Sequence, residues 1–180
     1  MKPPLPFPLA LNIGTDIVHL PRITRLVSRR GDYLSRFTSR ILSETEQADF
    51  RARFALPPLQ SQPPLPLNSK TEKQNRGDTE VEITPEMARW LAGRFAAKEA
   101  ARKAAKGGAS ALSWKDVVVR VAQKQPKRDG SRPDNDEGES AEGRPEIVFL
   151  DRNDDGPGRL GRLSISHDGE YVVATVLAAG

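Results

Sequence analysis

The sequence contains no cysteine. That removes disulfides, thiol nucleophiles and thiolate metal sites, and it is compatible with a reducing compartment. Long apolar runs are also missing. Nothing approaches the roughly 18 residues a helix needs to span a bilayer, so no membrane partner is expected. The opening MKPPLPFPLAL is broken by proline and lacks the Arg- and Ser-rich amphipathic pattern of an organelle presequence. Aromatics are scarce at 6%. There is no internal repeat, zinc-ligand cluster or phosphate-loop lysine motif. What remains is 180 residues, a length that suits one domain spanning 1–180. A mean hydropathy of −0.56 and frequent proline imply a compact domain carrying polar insertions. The net charge of +4, with a pI near 9.6, points to anionic partners: nucleic acid, phosphates or an acidic protein.

The chain is organised around Thr84 to Gly108. Thr84 suits an N-cap and Pro85 the first helical position, where a missing N–H costs nothing. Glu86 complements the helix dipole, the interior is rich in good helix formers, and Gly107 and Gly108 supply a stop. Met87, Leu91 and Phe95 recur every fourth residue as an apolar stripe. The next member is Glu99, with Lys98, Arg102, Lys103 and Lys106 around it. A carboxylate where the periodicity predicts core is costly unless a metal ion or an ion-pair partner binds it. The plain alternative is a surface salt bridge from Glu99 to Lys103 at i,i+4.

Leu9 to Val18 reads as a buried strand, with Leu9, Leu11 and Ile13 on one face, Gly14 allowing close backbone approach and Asp16 at the strand end. Asp16 also suits a cap for the next helix. In that helix Ile23, Leu26 and Val27 pack inward, while Arg22, Arg25 and Arg29 share the outer face. From Val18 to Arg40 there are six arginines against one acid, which favours an acidic partner. Ser43 with Glu46 matches a capping box, so a short helix follows. Polar insertions occupy about 56–83 and 123–144. Val117 to Val121 and Glu146 to Leu150 read as strands. Gly156 to Gly161 spells G-x-G-x-x-G, but a strand follows it, so no helix N-terminus is available for a pyrophosphate. Leu163 to Ser166 and Tyr171 to Leu177 form a hairpin around Asp168-Gly169. Period two aligns His167 with Leu163 and Ile165. Ser166, His167 and Asp168 make no hydrolase triad, because adjacent strand residues point to opposite faces.

Three segments in order, Ile13-Gly14-Thr15-Asp16-Ile17, Gly93-Arg94-Phe95-Ala96-Ala97-Lys98-Glu99-Ala100 with Lys103, and Leu163-Ser164-Ile165-Ser166-His167, resemble the holo-acyl-carrier-protein synthase type of 4′-phosphopantetheinyl transferase. Phe37 with Arg40-Ile41-Leu42-Ser43 and Glu46, and Leu112-Ser113-Trp114-Lys115-Asp116, match its intervening segments. The long insertions look like eukaryotic additions. The resemblance implies an α+β fold, an antiparallel sheet around the long central helix, and a homotrimer with sites between subunits. It implies Mg²⁺-dependent transfer of phosphopantetheine from coenzyme A to a serine of an apo-acyl carrier protein, leaving adenosine 3′,5′-bisphosphate.

On this resemblance Asp16 and Glu99 are the metal ligands, and they form the catalytic set with Lys103. Arg94, Lys98, Lys103, Gly107, Ser166 and His167 are the coenzyme A contacts. Arg22, with Arg25 and Arg29, meets the acidic helix of the carrier. Glu99 is also the candidate general base. His19 stands where the family often has an acid. The rival reading is a basic nucleic-acid-binding module, which the arginine-rich first helix supports and the lack of any RNA motif opposes. The intact Asp16, Glu99 and Lys103 set argues against an inactive scaffold. The compartment is expected to be the mitochondrial matrix or the cytoplasm.

Overall fold

A computed structural model describes residues 9–56, 81–121, 143–151 and 158–180. The chain runs through β1 (Leu11–His19), α1 (Leu20–Val27), α2 (Tyr33–Ile41), α3 (Glu44–Arg53), α4 (Pro85–Ala104), a 3₁₀ turn (Trp114–Asp116), β2 (Val117–Val121), β3 (Pro145–Phe149), β4 (Arg159–Asp168) and β5 (Tyr171–Ala179). The strands form one antiparallel sheet in the order β1-β5-β4-β3-β2. The expected insertions at about 56–83 and 123–144 fall almost wholly outside the described residues, as do Gly156 and Pro157.

The helix-start signals act where the sequence places them. Thr84 Oγ1 accepts from the Met87 amide and Pro85 opens α4. Ser43 and Glu46 close a reciprocal capping box on α3. The glycine stop comes late: α4 ends at Ala104 with Ala105 already extended, and Gly107 and Gly108, both at positive φ, shape the turn that follows. Two boundaries shift. The tight connection between β4 and β5 is Gly169-Glu170 rather than Asp168-Gly169, because Asp168 is already paired with Tyr171. Only Gly169 of that pair has positive φ, as a type II′ turn requires. And α2, with no acid in its first turn and no side-chain cap, had no clear start signal.

The core lies between α4 and one face of the sheet. The buried face of α4 is wider than the Met87–Leu91–Phe95 stripe and consists largely of small residues: Ala88, Ala92, Ala96, Ala97, Ala100, Ala101 and Ala104 are all inaccessible. That lets the helix sit close to β1 and β5. At Gly14 the approach is backbone to backbone. A Cβ there would lie 2.0 Å from the Ala100 carbonyl oxygen and 2.7 Å from the Ala104 amide nitrogen.

Two sequence expectations are corrected. Leu9, Leu11 and Ile13 do not face the core. Gly14 and Val18 do, and Ile13 and Ile17 on the opposite face are 68% and 63% exposed. The cause is that α4 covers a single face of β1. Nor is Glu99 the buried charge of α4. That charge is Lys98, fully buried, with its ammonium donating to Glu46 Oε2 at 2.6 Å and to the Trp114 carbonyl at 3.1 Å. Glu46 is equally enclosed. It also accepts from the Ser43 amide at 2.9 Å and from the Val119 amide at 3.1 Å. One carboxylate thus ties α3, α4 and the edge strand β2 together. Burial pulls the Lys98 pKa below the ordinary lysine value, with Glu46 opposing it.

Two predictions follow from this packing. Gly14→Ala will lose at least the ~1–3 kcal/mol typical of overpacking, read as a lower urea midpoint; an unchanged midpoint contradicts the close approach. Lys98→Met will lose about 3–5 kcal/mol by stranding Glu46, and adding Glu46→Gln will recover part of it. Simple additivity in that double variant would show that the pair is not formed.

Candidate active site

β1 carries Asp16 two residues beyond Gly14, so period two returns its side chain to the helix side of the sheet. There Lys103 Nζ donates to Asp16 Oδ1 at 2.7 Å and to the Thr15 carbonyl at 2.9 Å. Glu99 lies one helical turn before Lys103. Its Oε1 accepts from Arg102 Nη1 at 2.6 Å, with both side chains 20% exposed. The i,i+4 bridge between Glu99 and Lys103 does not form, because each group takes another partner. Arg102 is further held by Nε donating to the Leu112 carbonyl at 2.9 Å and by the Trp114 ring, 5.0 Å from its guanidinium carbon.

The result is two ion pairs over one turn of α4, Glu99 with Arg102 and Lys103 with Asp16, the last supplied by the sheet. Asp16 Oδ2 and Glu99 Oε2 accept no hydrogen bond from the described residues. Two hard carboxylate oxygens suit Mg²⁺, provided that substrate phosphates and water complete the shell. Among the described residues no group of three or more His, Asp and Glu could hold a metal unaided.

The other expected residues fall at varied places. Lys98 is not available to coenzyme A, because its ammonium is spent inside the protein on Glu46 and Trp114. Arg94 shares that flank of α4. Its guanidinium stacks on Trp90 at 4.5 Å, with Asp49 at 3.8 Å, and its buried Nε has no hydrogen-bond partner. Burial lowers its pKa, with Glu46 and Asp49 opposing. Gly107 is exposed just beyond α4. Ser166 and His167 are both exposed near the end of β4, on opposite faces as expected. His167 pairs in register with Val172, which pairs with Val18, so two strand spacings separate it from β1. Within the protomer neither joins Asp16.

Arg22 and Arg25 are exposed on α1. Arg29 does not continue that helix face, because α1 ends at Val27. It projects instead from the following turn over the Tyr33 ring at 5.5 Å, with Arg36 at 5.8 Å from the same ring. His19, the last residue of β1, lies 3.4 Å from Glu170 of the β4–β5 turn, so a carboxylate stands near that position after all. Sequence reasoning did not assign Arg102 and Trp114 to the site. The i,i+3 spacing from Glu99 was visible, whereas the aromatic support is purely tertiary.

The profile of the ACPS 4′-phosphopantetheinyl transferase superfamily matches residues 12–176. A mitochondrial 4′-phosphopantetheinyl transferase B from Aspergillus fumigatus is 58% identical over 179 residues, covering 98% of each chain. A holo-[acyl-carrier-protein] synthase from Gloeobacter violaceus is 33% identical over 170 residues, covering 93% of this chain and 92% of that one. Two solved structures share the fold. One is a holo-(acyl-carrier-protein) synthase from Bacillus anthracis in complex with CoA (3′,5′-ADP), at a TM-score of 0.52 and 24% identity, covering 92% and 93% of the two chains. The other is an acyl carrier protein synthase from Plasmodium yoelii with ADP bound, at 0.54 and 21%, covering 94% of each. An α+β enzyme of the group-transferring class is thereby defined. The chain belongs to the 4′-phosphopantetheinyl transferase superfamily, as a eukaryotic phosphopantetheinyl transferase of the holo-acyl-carrier-protein synthase type.

The ion pair between strand and helix is open to direct measurement. A double-mutant cycle of Asp16→Asn with Lys103→Met, read by urea denaturation, will give a coupling of about 0.5–1 kcal/mol, the scale of a partly exposed pair. Zero coupling would mean that the pair is not populated in solution.

Proposed function

We propose that the chain transfers the 4′-phosphopantetheine of coenzyme A to a serine hydroxyl of an apo-acyl carrier protein in a Mg²⁺-dependent reaction. The serine oxygen forms a new bond to the phosphorus bearing the pantetheine arm. The diphosphate bond on the far side of that phosphorus breaks, and adenosine 3′,5′-bisphosphate leaves. The observation that carries this reading is the contact of Asp16 on β1 with Lys103, 2.7 Å away, with Glu99 one helical turn before Lys103 on α4, in a chain of this superfamily.

Asp16 and Glu99 would hold the metal, whose role when bound is to neutralise the diphosphate and polarise the bond that breaks. Lys103, 45% exposed on a flexible stem, turns from Asp16 to the phosphate oxygens and stabilises the departing charge. Glu99, directly or through a bound water, takes the serine proton. Gly107, just past the end of α4, is proposed to contact the diphosphate. Arg22 and Arg25, with Arg29 held on Tyr33, receive the acidic helix of the carrier. Such contacts raise the association rate and weaken with salt.

We infer a homotrimer. The face of β1 and β5 away from α4 exposes Leu11, Ile13, Ile17, Tyr171 and Leu177, interrupted by the Thr15–Thr175 pair, a largely apolar face of the kind that marks protein–protein contact. Assembly over that face would give Ser166, which shares it, a route to coenzyme A at a neighbouring subunit's site. Arg94 and His167, on the α4 side, are proposed to reach coenzyme A at the subunit boundary. The mitochondrial relative supports placement in the mitochondrial matrix, and fatty-acid synthesis is the corresponding process. The nucleic-acid-binding alternative has no observation of its own once the positive charge has a carrier and phosphates to meet.

The test is incubation of the purified protein with coenzyme A, Mg²⁺ and several apo-carriers, read by intact mass. A phosphopantetheine mass gain is expected on at least one carrier and is lost with chelator. Glu99→Gln will lower turnover by roughly 10²-fold or more, the scale of removing a preorganised charge-stabilising group, with an unchanged circular-dichroism spectrum. No mass gain on any carrier would overturn the assignment, and full activity in the variant would remove Glu99 from the chemistry.

A further inference from the structure

The two cations beside the candidate metal ligands are held very differently. Lys103 touches Asp16 and the Thr15 carbonyl from an exposed stem. Arg102 is fixed three times over. Its Nε donates to the Leu112 carbonyl at 2.9 Å, its guanidinium lies over the Trp114 ring at 5.0 Å, and its Nη1 donates to Glu99 Oε1 at 2.6 Å. Trp114 is itself immobilised. Its carbonyl accepts from the buried Lys98 ammonium at 3.1 Å, and its ring packs on Phe95 at 4.9 Å. Arg102 therefore keeps its place through Leu112 and Trp114 whether or not Glu99 is bound to it.

An anchored guanidinium against a carboxylate is a resident counter-ion. A divalent ion that takes the open Oε2 of Glu99 shares the carboxylate with Arg102, which holds Oε1. It must therefore sit near a positive charge that cannot retreat. Lys103, on its mobile stem, imposes no such constraint on Asp16. We propose that Arg102 is a positioning residue for Glu99, a fixed counter-ion that orients the carboxylate and sets the divalent-metal concentration at which the site loads. This rests on Glu99 being a metal ligand, as argued above. It assigns to Arg102 a part in the reaction without contact with substrate, acting through the carboxylate alone.

The test uses Mn²⁺ as the probe. It is titrated into the full-length protein with coenzyme A at a fixed saturating concentration and no carrier, so that no turnover occurs. Free Mn²⁺ is read by electron paramagnetic resonance. Arg102→Met keeps packing against Trp114 and removes the charge. It is expected to bind Mn²⁺ roughly two- to fivefold more tightly than the unmodified protein, the scale of one partly exposed ion pair. Arg102→Gln, which can still donate to the Leu112 carbonyl, is expected to do the same and replaces the Met variant should that one fail to fold. A purely structural role for Arg102 would lower the melting temperature without tightening metal binding. Equal or weaker Mn²⁺ affinity in a folded neutral variant overturns the proposal. Glu99→Gln separates this failure from failure of the site itself. If it binds Mn²⁺ as the unmodified protein does, Glu99 is no ligand and both readings fall; if it loses Mn²⁺, only the role of Arg102 is in question.

Discussion

Everything at the site depends on how closely β1 lies against α4. The contact at Gly14 leaves no room for even a methyl group before the Ala100 carbonyl. The alanines of α4 provide the matching shallow surface on the helix. Because the two backbones meet there, Asp16, two residues along the strand and on the same side, comes within a lysine's reach of the helix flank. A larger residue at either partner would lift the strand and open that distance. The site is thus built by the absence of side chains as much as by their presence, and the glycine serves packing rather than flexibility.

Neighbouring residues on α4 have opposite roles for a related reason. Lys98 and Glu99 are adjacent in sequence but about 100° apart around the helix. The buried pair of Lys98 with Glu46 fixes the rotation of α4 about its axis, and that rotation puts Glu99 at the solvent rim. A buried ion pair adds little net stability compared with apolar packing, and its clearer contribution here is to specify one arrangement. Trp114 joins the two halves, since its carbonyl holds Lys98 while its ring supports the arginine that holds Glu99. The same carboxylate that closes the capping box of α3 also accepts from Val119 on the edge strand β2, so a buried amide on the sheet edge gains a partner.

Much of this was legible in the sequence, and the parts that were not share a cause. Thr84 with Pro85 and Ser43 with Glu46 act on their own backbone within a few residues, so composition and spacing suffice to read them. The order of elements and the antiparallel hairpin are equally local. Alternation along Leu11 to Val18 shows that β1 has two faces, but not which one a helix covers, and here the more apolar face is left outside. A lysine in an otherwise amphipathic helix reads as solvated. Only Glu46, distant in sequence, makes its burial tolerable. Arg29 sits at helical spacing from Arg22, yet α1 stops at Val27 and a stacking contact takes over its placement. Arg102 and Trp114 meet only in three dimensions. Membership of the superfamily settles what kind of transferase this is, whereas the residue-level roles rest on the geometry of these contacts.

The most direct measurement is a crystal structure of the assembled protein grown with coenzyme A and Mn²⁺, with diffraction data collected for manganese anomalous scattering. One manganese peak per site is expected, close to Asp16, Glu99 and the diphosphate of coenzyme A. A peak lying away from both carboxylates, or coenzyme A seated with its diphosphate remote from α4, would contradict it.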